Sequence, residues 1–567
     1  MAGGLIQIST YGSQDLFLTG TPEITFFKIV YRRHTHFAVE SLYLNFDDPV
    51  YFGSTSSITI PHIGDLIHHT YLEIDIPEIN LIKYNAPTNI SRAELKKAQE
   101  NYDITINFMT INRQAYVESL SIIESSNNTD SSKIISIINS IFNNPVNQTT
   151  ILNFKILMSD PNYNPVYTYD EVSMQSVVST ISPSDPKEFA FTAMNISLDK
   201  STLVQQYFFN LMKDQQIIYQ DLLNKHIKFA WVNKLGHAIL NYMEIYIGGQ
   251  KVDKSYGDWL NIWYELSSNR DIQDTYYRMI GNIPELTGFN KLVKPKYQLR
   301  IPLQFWYSRF SGLALPLVAL EYHDVRFVFN FRNIEDVSYI EKNATIESDV
   351  GDSIFLDEVP EQLKLNISAR LLVDFIYLDS GERRRFAQAS HEYLIEQLQL
   401  IEYPDISLNN YEAILNSFVH PTKELVWVVQ KTSYTDNITG YHKNVWDNYS
   451  INYETGVGNP VLFSTLTFNS YSRLNNLDRN YFNYVQPYQC HKTTPSDGIN
   501  CYSFSIFPEE HQPSGTANLS MISKISLTLN IDPQVLVGDT VNIRIYAVNY
   551  NILRIVSGMA GLAYTFG

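Results

Sequence analysis

"YHDVRFVFNFRN", residues 322–333, alternates: Val325, Phe327, Phe329 and Phe331 fall on one side, and Asp324, Arg326 and Asn330, with Val328 among them, on the other. An extended chain sends successive side chains to opposite faces, so this stretch reads as a strand with one face in a core and one in water. Polar and apolar faces of that kind belong to antiparallel sheets.

The same grammar recurs in both directions. In "SLYLNFDD" (41–48) Leu42, Leu44 and Phe46 share a face, and in "HHTYLEIDIPEI" (68–79) Leu72, Ile74 and Ile76 oppose Glu73 and Asp75. In "LNYMEIYIGG" (240–249) Met243, Ile245 and Ile247 oppose Tyr242, Glu244 and Tyr246. After the polar gap 332–353, "LKLNISARLLVDFIYLD" (363–379) puts Leu365, Ile367, Ala369, Leu371, Val373 and Phe375 on one face. "ELVWVVQ" (424–430), "PVLFSTLTFNSY" (460–471), "SKISLTLNID" (523–532) and "TVNIRIYAVNY" (540–550) follow. Two runs of strands, one on each side of about residue 350, predict an all-β chain of two sandwiches in tandem, because no single sheet can bury its own apolar face.

The bulk numbers agree. A chain of 567 residues is too long for one small core. It carries 39 Tyr and 30 Phe, residues that favour strands. Its formal charge is −17, with basic residues gathered only at Lys28/Arg32/Arg33 and Arg383–Arg385, which argues against a coat along nucleic acid. Two cysteines, Cys490 and Cys501, make no disulfide framework and read as free thiols from a reducing compartment. No secretory signal opens the sequence and no apolar run is long enough to span a membrane.

Residues 84–225 break the strand pattern. They hold helix-like pieces, with a capping box from Ser91 to Glu94, Ile134, Ile137, Ile138 and Ile141 on one helical face, and a longer helix over 201–223. A segment placed this way reads as an insertion in a loop of the first sandwich. The expected organisation is an arm at 1–36, a first sandwich over 37–335 with the insertion facing outward, and a second over 360–567. Two short helices fall among the strands, one with Trp259, Trp263 and Leu266 on one face, the other starting at an Asp379 or Ser380 cap. Each is expected to pack across a barrel end.

Nothing in the sequence asks for an enzyme. His391–Glu392 resembles half of a zinc-protease motif, but Ile395 stands where the second His is needed. Arg383–Arg385 sit about 100° apart on a helix and cannot line one groove; at least one is expected to pair with a carboxylate. His62, His68 and His69 near Asp65 look like metal ligands, yet on a strand His68 and His69 point to opposite faces. "GVGNPV" (456–461) lacks the third glycine of a dinucleotide loop and has Pro460 where a helix would start. No catalytic, cofactor-binding or metal-binding residues are therefore assigned, and no cofactor is expected.

The segments "GGLIQISTYGSQDLFLTGTPEITFFKIVYRRHTHFAVES", "LGHAILNYMEIYIGGQKVDKSYGDWLNIWYEL", "IPLQFWYSRFSGLALPLVALEYHDVRF", "VDFIYLDSGERRRFAQASHEYLIEQLQ", "HPTKELVWVVQ", "YSFSIFPEEHQPSGTANLS" and "YAVNYNILRIVSGMAGLAY" resemble, in order, the major capsid proteins of nucleocytoplasmic large DNA viruses. The resemblance implies two tandem eight-stranded jelly rolls and a homotrimer forming a pseudo-hexagonal capsomer that tiles an icosahedral shell. It further implies contacts with neighbouring capsomers, with minor capsid and penton proteins and with a nearby internal membrane, without direct nucleic-acid binding. The expected location is the virion capsid, after synthesis in the host cytoplasm. On this resemblance the stretch 380–399 is the first strand-to-helix crossing of the second jelly roll, and the arm lies at the capsomer base. The sequence departs from the family in the length of 84–225, and in Ala517 where the family often has Cys. Two rival readings are a glycan- or receptor-binding sandwich on a virion surface and a carbohydrate hydrolase with a carboxylate pair.

Overall fold

The computed structural model describes residues 31–79, 228–290, 292–340, 367–435 and 444–564, together with a helix at Pro145–Met158 and scattered positions among 7–29 and 97–144. Its core is two pairs of facing antiparallel sheets. The first pair is built from β1 (Phe37–Asn45), β2 (Thr55–Ile60), β3 (Leu66–Ile76), β4 (Leu240–Ile247), β5 (Gln250–Tyr256), β6 (Tyr297–Pro302), β7 (Val325–Phe331) and β8 (Ser368–Leu378). The second uses β9 (His391–Ile406), β10 (Asn410–Ile414), β11 (Pro421–Lys431), β12 (Val461–Phe468), β13 (Tyr471–Asp478), β14 (Ile499–Ser503), β15 (Ile525–Ile531) and β16 (Val541–Val556).

One sheet runs β1-β8-β3-β6 and faces β2-β7-β4-β5; the other sandwich repeats this as β9-β16-β11-β14 facing β10-β15-β12-β13. In both, the first strand lies beside the last and the second beside the seventh. That wrapping is the jelly roll, made twice in one chain.

The alternation that announced the fold is buried as expected. Val325, Phe327 and Phe329 are fully buried on β7 while Arg326 is exposed, and Phe46 packs edge-on against Phe329 at 5.5 Å. Burying each of these aromatic side chains stabilises the core by roughly 1.5–3 kcal/mol.

The division of the chain differs from expectation at β8. A second sandwich starting at residue 360 would claim Ser368–Leu378, but that strand pairs with β1 from Phe37↔Leu378 to Asn45↔Arg370, and with β3 on its other side. Alternation fixes which face of a strand is buried, not which strands lie beside it. Leu371, Val373 and Phe375 therefore sit in the first core, which extends beyond residue 335. The first part of the stretch 380–399, up to His391, is accordingly the link between sandwiches rather than a crossing inside the second, and the rest is the start of β9.

The chain leaves β3 through a bridge of Ile79 with Lys294 and returns through one of Phe229 with Asn290, so the insertion departs and re-enters beside one segment. Within it, Ile141 is buried and Phe108 stacks on Phe154 with ring centroids 4.0 Å apart. The capping box at Ser91–Glu94, the positions Ile134, Ile137 and Ile138, the helix over 201–223, and Leu365 of the β8 run lie outside the described residues. Among the described residues no helix is long and apolar enough to cross a membrane.

Candidate functional site

The seam between the sandwiches is organised by helix α1 (Gly257–Ser267). Trp259, Ile262, Trp263 and Leu266 recur at helical spacing and form one apolar stripe, and Asp258 in the first turn suits the helix N-terminus. A Cβ on Gly257 would lie against the carbonyl oxygens of His237 and Leu240, so only glycine lets the helix start this close to the chain beneath it. The stripe does not cross a barrel end. It covers the outer face of the β9-β16-β11-β14 sheet, packing with Val426 and Val428 of β11 and with Tyr546 and Val548 of β16.

That placement explains why "ELVWVVQ" lacks polar alternation. Leu425, Trp427 and Val429 enter the core of the second sandwich, while Val426 and Val428 enter the seam. A strand buried on both faces reads as a continuous apolar run.

Charged groups fasten the rim of this apolar seam. Arg332 and Arg544 converge on the two oxygens of Asp258, the first at 3.1 Å. Lys234 reaches Glu265 at 2.8 Å and Asp447 at 3.7 Å. Burial opposes the Lys234 charge, but these two carboxylates raise it above the usual lysine range. Glu396 accepts from Arg309 at 2.5 Å and from Lys423 at 2.7 Å; burial opposes its charge, yet the two cations hold it below the usual carboxylate range. His491 lies between Glu424 at 3.2 Å and Glu509 at 3.1 Å. Burial works against an imidazolium there, but hydrogen bonding with Cys501 and the two glutamates pushes His491 up to about 12.

The edge strands β5 and β9 meet side by side. The Gln397 amide donates to the Val252 carbonyl, and the Asp253 carboxylate accepts from the backbone N–H of Leu398 at 3.1 Å and of Lys254 at 2.9 Å. Edge donors that would otherwise be open to another chain are thus satisfied internally. Burial raises Asp253 to about 7 in spite of these hydrogen bonds.

The end of the chain latches back onto the first sandwich. β16 turns at Gly558 into a short strand, Met559–Leu562. The Tyr322 N–H donates to the Gly558 carbonyl at 3.0 Å, and the Ala560 N–H to His323 Nδ1 at 3.1 Å. Gly558 has φ of +80°, and a Cβ there would collide with the Tyr322 ring, so the turn needs glycine twice over.

The residues singled out in the sequence take structural places. Helix α2 (Ser380–Gln388) is capped by Asp379, which accepts from the N–H groups of Gly381 and Glu382. Arg383 pairs with Asp65 at 3.0 Å, while Arg384 and Arg385 are exposed. His391 contacts the Phe386 carbonyl at 2.7 Å, and Glu392 pairs with Arg554 at 2.8 Å. His68 and His69 do not point to opposite faces: a bulge sets both across from Asp374, and their rings lie 3.9 Å apart. Cys490 and Cys501 are both free thiols, raised above the usual range chiefly by burial. Gly456 and Gly458 lie in the loop before β12. Among the described residues no three His, Cys, Asp or Glu side chains are set to hold a metal ion. Sequence reading missed the Asp253, Asp258 and Glu396 nodes, whose partners lie far away along the chain.

Comparison with known proteins gives a consistent answer. A family model for the major capsid protein N-terminus matches residues 25–155 and 193–379, ending just past β8, and one for the large eukaryotic DNA virus major capsid protein matches 382–561. The major capsid protein of Pyramimonas orientalis virus is 30% identical over 590 residues, and that of Phaeocystis pouchetii virus 28% over 666, each comparison covering 100% of both chains. VP54 of PBCV-1 shares the fold with a TM-score of 0.58 at 24% identity, covering 95% of this chain and 100% of that one. The Faustovirus major capsid protein does so with 0.57 at 9% identity, covering 98% and 96%. These relatives are structural proteins of virus capsids, not enzymes. The chain belongs to the major capsid protein family of large eukaryotic DNA viruses.

Proposed function

We propose that three copies of this chain close into a capsomer of six similar sandwiches, whose pseudo-hexagonal outline tiles an icosahedral shell. The observation that carries this reading is the repeat of one strand order in both halves of the chain. Each chain then presents two near-equivalent lobes, and a threefold assembly presents six. The packed and ion-paired seam supports it, since tiling requires both lobes to keep one relative orientation. The working units are 37–378 and 391–562, the insertion 84–225 faces outward, and the 1–36 arm reaches beneath the shell. Phe27 in that arm is 98% exposed, and a contact beneath the shell would bury it. Its partners are neighbouring capsomers, minor capsid and penton proteins close to an internal membrane, after synthesis in the host cytoplasm.

Electron micrographs of the purified protein test the reading. Particles seen end-on are expected to show six lobes around a threefold axis. Two-lobed particles alone would contradict it, and would favour a virion-surface glycan- or receptor-binding protein.

A further inference from the structure

The helix that makes the seam has a counterpart in the second sandwich. α1 follows β5, and in its segment "WLNIWYEL" (259–266) Leu260 enters the core of its own sandwich and Asn261 is buried. Trp259, Ile262, Trp263 and Leu266 turn the other way, onto the second sandwich. The equivalent place after β13 holds a helical segment α3, Tyr481–Val485 continued by Gln486–Cys490. Its "YFNYVQPY" (481–488) repeats the arrangement: Phe482 enters the second core and Asn483 is buried. Tyr481, Tyr484, Val485 and Tyr488 then recur at the spacing of the α1 stripe. Tyr484 and Val485 are exposed, and Tyr488 is 84% exposed.

The first sandwich holds the matching sheet face. α1 covers the outer side of β9-β16-β11-β14, and the same strand order makes β1-β8-β3-β6 its counterpart. Leu371, Val373 and Phe375 turn into the first core. On the outer side the register sets Phe37 against Leu378, Val39 against Ile376 and Tyr43 against Leu372. Phe37, Val39 and Tyr43 are each about half exposed. An apolar stripe and an apolar sheet face left open on one chain mark surfaces that another body covers.

Charge follows the same correspondence. Arg544 stands two residues before Tyr546 on β16 and meets Asp258 at the start of α1. Arg370 stands two residues before Leu372 on β8, shares Glu73 with Arg300, and has a side chain 39% exposed. Asp478, exposed at the start of α3, accepts from the Tyr481 N–H at 3.3 Å. The helix side again brings a carboxylate and the sheet side an arginine.

We propose that the α3 stripe of one chain docks on the outer β1-β8-β3-β6 face of a second copy of this chain, repeating between chains the seam that α1 makes within one. The occupant is a second copy because both surfaces are open in the same chain and so do not cover each other. The contact joins two different surfaces head to tail, the kind that closes into a ring when its rotation permits. It rests on the trimer reading and assigns its interface: three seams within chains and three between them alternate around the ring.

Sedimentation velocity of full-length Tyr488→Asp and Val39→Asp, beside the parent, tests this. Both positions face solvent in a single chain, so each variant is expected to fold with the parent's circular dichroism; Tyr488→Ala and Val39→Ala make the same test with a gentler change. Each substitution is expected to raise the concentration for half-assembly about thirtyfold or more, as the loss of an interface anchor does. A trimeric parent with either folded variant assembling as tightly would overturn the docking while leaving the trimer in place. If only Val39→Asp dissociates, the sheet face has another occupant, such as the 1–36 arm, and the pairing is wrong. A parent that is itself a single chain would instead remove the trimer reading.

Discussion

Replacing Trp259 with Ala is expected to lower the unfolding free energy by about 3–5 kcal/mol, the range for truncating a buried tryptophan. Trp259 is 1% exposed and stands between Trp263 at 5.9 Å and Tyr546 at 5.1 Å, so its loss opens a cavity in the seam itself. Neither sandwich core loses an atom by this change. The expected signature is therefore a split of one cooperative transition into two, read by calorimetry or by urea unfolding followed with separate probes. A loss below about 1 kcal/mol, with a single transition retained, would show that α1 merely rests on the second sandwich.

Asp253→Asn is expected to act in the opposite direction, stabilising the chain by about 2–4 kcal/mol at pH 8. Burial raises Asp253 from the ordinary 3.8 to about 7, while Arg309 pulls it down and Glu396 pushes it up. The folded state therefore holds this proton more tightly than the unfolded one. Its contribution is fully present below pH 3.8, and is lost as the pH rises through 7. Asn keeps an oxygen to accept from Leu398 and Lys254 but has nothing to ionise. The advantage of the variant should shrink as the pH falls from 7 towards 4, in urea midpoints measured across that range. A variant less stable than the parent at pH 8 would mean that the charge itself is needed at the seam.

These two residues also mark where sequence reading stops. Alternation revealed β7 and its buried phenylalanines because a strand's two faces are written locally, residue by residue. It could not tell that β8 belongs beside β1, since that pairing joins positions such as Phe37 and Leu378 that nothing local connects. The polar gap at 332–353 looked like a boundary between sandwiches, yet it lies between two strands of the same one. The apolar stripe of α1 was visible, but not the sheet it covers. A signal for that sheet did exist in "ELVWVVQ", whose unbroken apolar run calls for burial on both faces. Asp258 and Arg544 carried no such signal: they are 286 positions apart and meet only once the seam has formed. The family resemblance supplied the jelly-roll topology that alternation alone leaves open, and the strand orders of both sandwiches agree with it.

Closure of three chains into one capsomer is read from the native mass of the protein in solution. Sedimentation velocity on the folded full-length protein across the micromolar range is predicted to show one species at about three times the 65.4 kDa chain. A folded protein that stays at the mass of a single chain throughout that range would contradict it.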